Sequence, residues 1–93
     1  MAIAEFAVIP LIEESQVNKV VEKAIEVVQK SGLEFEVGAN GTTIEGDLDE
    51  LLDVIKEAHL IARDFGSGRV FTVIKIDDRK AGVTISEKIK KFR

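Results

Sequence analysis

The stretch Val37-Gly38-Ala39-Asn40-Gly41-Thr42-Thr43-Ile44-Glu45-Gly46-Asp47 decides how this chain folds. Leading into it, Leu33, Phe35 and Val37 alternate with Glu34 and Glu36, the pattern of a strand with one buried face. Gly38 to Gly41 is turn-forming, and Thr42 to Glu45 reads as a second short strand. Asp47 followed by Glu50 forms a capping-box-like pair that opens a helix, with Asp in place of the usual Ser or Thr. The stretch therefore joins two strand ends, a hairpin turn and a helix cap. It also puts polar side chains where two similar halves of the molecule meet.

Upstream, Ala2 to Ile9 reads as a strand whose two faces are both largely apolar, and Pro10, lacking an amide donor, ends it. Ser15 is a suitable cap for a helix running to about Lys30. Its stripe is Val17, Val20, Val21, Ala24, Val27 and Val28, and Gly32 suits a left-handed stop. Downstream, Leu48, Leu51, Leu52, Ile55, Ala58, His59, Ala62 and Phe65 line a second helix that Gly66 can end. Arg69 to Asp77 is a fourth strand, Asp78 to Gly82 a polar turn, and Thr84 with Glu87 suggests another capping box, starting a short terminal helix. Ile85, Ile89 and Phe92 lie on the sticky side of that helix.

Strand, helix, strand, repeated, gives two split βαβ units with right-handed crossovers. The expected fold is an α+β ferredoxin-like βαββαβ sandwich. It has a four-stranded antiparallel sheet with the first and third strands central, two helices on one face and a short C-terminal helix. A length of 93 residues supports a single domain, 1–93, near the size where oligomerisation adds needed stability. The composition is 45% apolar and 32% charged with no cysteine, and no apolar run is long enough to cross a bilayer. Without a secretion signal or a disulfide framework, the expected location is cytoplasmic. The formal charge of -4 disfavours nucleic-acid and membrane partners.

Alternation places Phe6, Val8, Leu33, Phe35, Val37 and Ile44 under the helices and Ile3, Glu5, Ala7, Ile9, Thr43 and Glu45 on the open face. The apolar members of the open face need a cover. The hydrophobic edge strand Val70 to Ile76 invites pairing, so a homo-oligomer, a dimer of dimers, is expected. Glu5 and Glu45 fall on one face of neighbouring strands. They could pair with Lys75 or a partner's cation, or accept hydrogen bonds from an amino-bearing or cationic small molecule. Thr43 and Asn40 could add neutral hydrogen bonds, against their plainer readings as a strand former and a turn residue. His59 is expected to be packed and hydrogen-bonded, and Asp77-Asp78 to be a solvent-facing turn.

Catalysis is not expected. Iron–sulfur and Cys-x-x-Cys chemistry lack cysteine, base stacking lacks aromatics on the third strand, and the acidic loop Pro10 to Ser15 is a poor anion cradle. Nucleophilic serine chemistry would depend on the lone His59.

Gly41-Thr42-Thr43-Ile44-Glu45-Gly46 before an acidic helix start, Lys75-Ile76-Asp77-Asp78-Arg79, and a first strand ending in Val8-Ile9-Pro10 together resemble the small thiamine-binding-protein family over nearly the whole chain. The tail from Lys80 to Arg93 resembles that of thermophilic bacterial members. The resemblance implies a ferredoxin-like tetramer that binds thiamine or its hydroxymethylpyrimidine fragment without catalysis or a further cofactor. Carried onto this sequence, the family motif falls on Thr42, Thr43 and Glu45, while Asn40-Gly41 departs from the more usual turn residues. The candidate ligand-binding set is thus Glu5, Asn40, Thr42, Thr43 and Glu45, with no metal ligands, in a pocket walled by Ile3, Ala7, Ile9 or Phe71. The rival expectation is a structural or regulatory interaction module whose open face is covered by protein alone.

Overall fold

The structure, a computed structural model, describes residues 1–93. It runs β1 (Ala2–Pro10), α1 (Glu14–Ser31), β2 (Glu34–Val37), β3 (Thr42–Gly46), α2 (Leu48–Phe65), β4 (Val70–Asp77) and α3 (Ile85–Ile89), with a 3-10 turn at Lys90–Phe92. The sheet order is β2-β3-β1-β4 and every neighbouring pair is antiparallel, so the fold is ferredoxin-like with β1 and β3 central.

The helices are held by tertiary packing more than by propensity, because valine is a modest helix former. Val20, Ala24, Val27 and Val28 of α1 and Leu51, Ile55, Ala58 and Ala62 of α2 are buried against Ala2, Ala4, Phe6 and Val8 of β1 and Ile44 of β3. Small residues at Ala4, Ala24, Ala58 and Ala62 let helices and sheet approach closely, and each is 2% exposed or less.

Local signals set most boundaries. Gly32 ends α1 in the left-handed region at φ 77°. At the start of α2 the full capping box forms between Asp47 and Glu50, satisfying amides that the first turn leaves without partners. One boundary differs from expectation. Helix α1 starts at Glu14 with Glu13 at the cap and no side-chain cap bond, so Ser15 lies inside the helix. At the far end of α2, the Arg63 guanidinium donates to Asp64 at 2.8 Å and holds that carboxylate below its usual range.

The helices cover the centre of the sheet and leave its margins open. Phe35 and Val37 of edge strand β2, expected in the core, are 37% and 49% exposed, and Ile74 and Ile76 of edge strand β4 are also exposed. Strand parity is as expected, but the helical layer is narrower than the sheet.

Candidate functional site

The open face is closed at one end by the chain's own tail. Val83 N–H donates to Met1 C=O at 3.1 Å, beginning a strap that carries α3 across the sheet. Ile3, Val83 and Ile85 form a second small apolar cluster with Ile89 packed against it, so Ile3 is buried by the tail. Thr84 caps α3 through the Glu87 amide at 3.1 Å, whereas the Glu87 carboxylate pairs with Arg79 at 3.4 Å instead of completing a capping box. The Phe92 side chain, expected to pack with Ile85 and Ile89, is 75% exposed.

Beside the strap lies a cleft of about 480 Å³. Register explains its floor. Thr43 is paired with Glu36 on one side and Glu5 on the other, and Glu5 is paired in turn with Lys75. Directly paired residues in an antiparallel sheet share a face, so these four side chains form one row across all four strands. Asp77, two residues beyond Lys75, adds a carboxylate on the same face. Ile85, Lys88, Ile89 and Arg93 of the tail supply the overhang.

Each carboxylate of the cleft has a basic partner. Lys75 lies 3.4 Å from Glu5, Lys88 donates to Asp77 at 2.6 Å, and Arg93 donates to Glu36 at 2.5 Å. The last two pairs tie the strap to the margins of the sheet, one at β4 and one at β2. The pair at Glu5 is the loosest, with the Lys75 side chain 78% exposed. A partner that exposed exchanges at small cost.

The five sequence-predicted site residues do not converge. Glu5 and Thr43 line the cleft together. Thr42 pairs with Phe6 and shares its face, so its side chain is buried on the helix side at 7% exposure. Adjacent strand residues face opposite ways, and the two threonines cannot serve one site. Asn40 sits at the hairpin tip, bordering a separate groove beneath α1. Glu45 does lie on the open face, but its Oε1 accepts the Ile85 N–H at 2.7 Å. It anchors the strap and borders a neighbouring recess that shares Glu36, Ile85, Ile89 and Arg93 with the cleft. Of the expected apolar walls only Ile3 contributes, since Ala7 and Ile9 border the groove beneath α1.

Glu36, Asp77, Lys88 and Arg93 belong to the cleft although the sequence reading assigned them no site role. Glu36 was accessible by parity, because it is two residues from Glu34 on the polar face of β2. Asp77 ends β4 as expected, but its carboxylate, expected to face solvent, is paired with Lys88 and holds the strap. His59 is packed as expected, its Nδ1 2.6 Å from Thr72 Oγ1 on the helix side.

Gly41 shapes the cleft from behind. A Cβ there would lie 3.3 Å from Glu5 Cγ and 3.2 Å from the Phe6 carbonyl oxygen. A side chain at residue 41 would crowd both groups by a few tenths of an ångström, so glycine suits the close approach of the hairpin to Glu5.

The fold and this cleft define a ferredoxin-like α+β protein with a polar small-molecule-sized depression on the open side of its sheet. A family model described as thiamine-binding protein matches residues 4–93, and the chain belongs to that family. A UPF0045 protein of Clostridium perfringens is 43% identical over 92% of this chain and 90% of its own length. Among solved structures, a Bacillus cereus domain of unknown function is 50% identical with a TM-score of 0.92, covering 99% of this chain and 89% of that one. A candidate thiamine biosynthesis/salvage protein from Thermotoga maritima is 33% identical with a TM-score of 0.93, covering 99% and 98% respectively.

Proposed function

We propose that this chain is a non-catalytic binder of thiamine or its hydroxymethylpyrimidine moiety, acting as a carrier, buffer or sensor, with its ligand in the open-face cleft. The observation that carries this reading is the placement of Glu5 and Thr43 side by side on the floor of a cleft of about 480 Å³. A carboxylate accepts from an exocyclic amine and a hydroxyl both donates and accepts, which matches the edge of an aminopyrimidine. Ile3, Ile85 and Ile89 offer an apolar wall to its flat ring. Membership of the thiamine-binding protein family and the likeness to the Thermotoga maritima protein support the ligand class.

Titration calorimetry with thiamine and with hydroxymethylpyrimidine tests the proposal. Saturable binding is expected, and Glu5→Gln is expected to weaken it about tenfold, the scale of one charge-assisted hydrogen bond. No heat with either compound, confirmed by an unmoved melting temperature, would overturn it.

The binder works as a homo-oligomer in this reading, a tetramer arranged as a dimer of dimers. Ile9 pairs with Phe71 and Ala7 with Val73 at the uncovered end of the open face, where Ile9, Phe71 and Val73 are 47%, 53% and 56% exposed. Edge strand β4 leaves one row of backbone groups without a neighbouring strand, next to that apolar surface. The same observation favours the second reading, an interaction module. In that case the open face would be filled by protein and the cleft would take no ligand.

A further inference from the structure

The charges around the cleft bear on which form of ligand it accepts. Glu5, Glu36 and Asp77 face Lys75, Lys88 and Arg93, so the lining is balanced before any ligand enters. A simple cation at Glu5 competes with Lys75 and sits beside that ammonium group as a second positive charge. The Lys75 side chain is 78% exposed, so solvent screens most of the repulsion and the cost is small.

A ligand that carries its own anion avoids this cost. Its cation replaces Lys75 at Glu5, and its anion replaces Glu5 at Lys75, so every charge keeps a partner. The geometry suits such an exchange. Lys75 is held loosely at 3.4 Å, and Lys88 is fixed nearby on Asp77 at 2.6 Å. Residues 75 and 77 lie on one face of β4 about 7 Å apart along the strand. An ammonium has three donors, so Lys88 can bond an anion without leaving Asp77. Arg93 lies on the opposite margin at Glu36 and is left to hold the strap.

Resting on the reading of this cleft as the ligand site, we propose that its preferred ligand is a cationic heterocycle bearing a phosphate monoester. The heterocycle lies along Glu36, Thr43 and Glu5, and the phosphate lies between Lys75 and Lys88.

The probes are thiamine, thiamine monophosphate and inorganic phosphate, titrated into the assembled full chain. Thiamine monophosphate is expected to bind about tenfold more tightly than thiamine, as one added charge-assisted contact supplies. This advantage is expected to shrink between low and high sodium chloride. In Lys75→Gln, a change at an exposed side chain whose folding is checked by thermal unfolding, the ratio of the two affinities is expected to fall to about three, with Lys88 still on the phosphate. Lys88→Gln is expected to reduce the same ratio, and the double variant to bring it to about one. Equal binding of the two compounds by the unaltered protein, or an advantage undiminished in the double variant, would overturn the proposal while leaving the ligand site in place. Inorganic phosphate competing as strongly as the ester would also overturn it, by reducing the site to a plain anion contact. Failure of both thiamine compounds to bind would instead remove the ligand-site reading on which the proposal stands.

Discussion

The two faces of the sheet are built from the same strands but closed in different ways. On one, Ala2, Ala4, Phe6, Val8 and Ile44 lie beneath two helices of 18 residues each and none is more than 8% exposed. On the other, Ile3 is covered by a five-residue helix while Ile9, Phe71 and Val73 remain about half exposed. Over the centre of the sheet the first face is closed by continuous apolar contact. The second is closed at one end by a small apolar cluster, one carboxylate-to-amide bond and two ion pairs. The difference teaches where function can be placed. A face sealed by side-chain packing has no room for a guest, whereas a face spanned by a strap keeps a cleft beside it.

The sharpest way to break this comparison is to remove packing from each face in turn. Leu51→Ala, at a fully buried side chain, is expected to cost about 3 kcal/mol in denaturant unfolding. Ile85→Ala, within the three-residue cluster, is expected to cost about 1.5 kcal/mol because the strap can settle onto the smaller side chain. Equal losses would show that both faces are sealed alike. The smallest effect is expected from Glu45→Ala, about 1 kcal/mol for a single hydrogen bond to a charged acceptor. There the better readout is amide exchange. The Ile85 amide is expected to exchange faster while amides of α2 keep their protection, and unchanged protection at Ile85 would dissociate Glu45 from the strap.

Most of the fold was legible because its signals are local. The strand before the hairpin, the Gly32 stop and the Asp47–Glu50 cap each need only neighbouring residues, and all three stand in the structure, although Phe35 and Val37 are not buried as their alternation suggested. Open-face parity was legible too, and it put Glu5, Thr43 and Glu45 on one face; the register then pairs Glu5 with Thr43 and Glu45 with Ile3. What escaped depends on contacts distant in sequence. The bond from Ile85 to Glu45 joins residues 40 apart, and no periodicity near either one announces it. Nothing near Glu45 therefore signals that one of its carboxylate oxygens anchors the strap. Thr42 is a different case. The motif containing both threonines suggested a joint role, but period-two alternation separates them, and the register with Phe6 places Thr42 in the core. Nothing local in the sequence marks Lys88 or Arg93; the strap alone brings them to the sheet.

The central position of β1 also bears on how the chain folds as it is made. Both of its neighbours come later, β3 from residues 42–46 and β4 from residues 70–77. At about 5–20 residues per second, the first strand emerges roughly 3–13 s before the last one that must pair with it. Loops this long must close before their contacts repay the lost chain entropy, which slows folding. Throughout that interval an apolar strand, Ala2 to Ile9, has one side without its permanent neighbour. Its exposed backbone groups are open to other partners until β3 and β4 arrive.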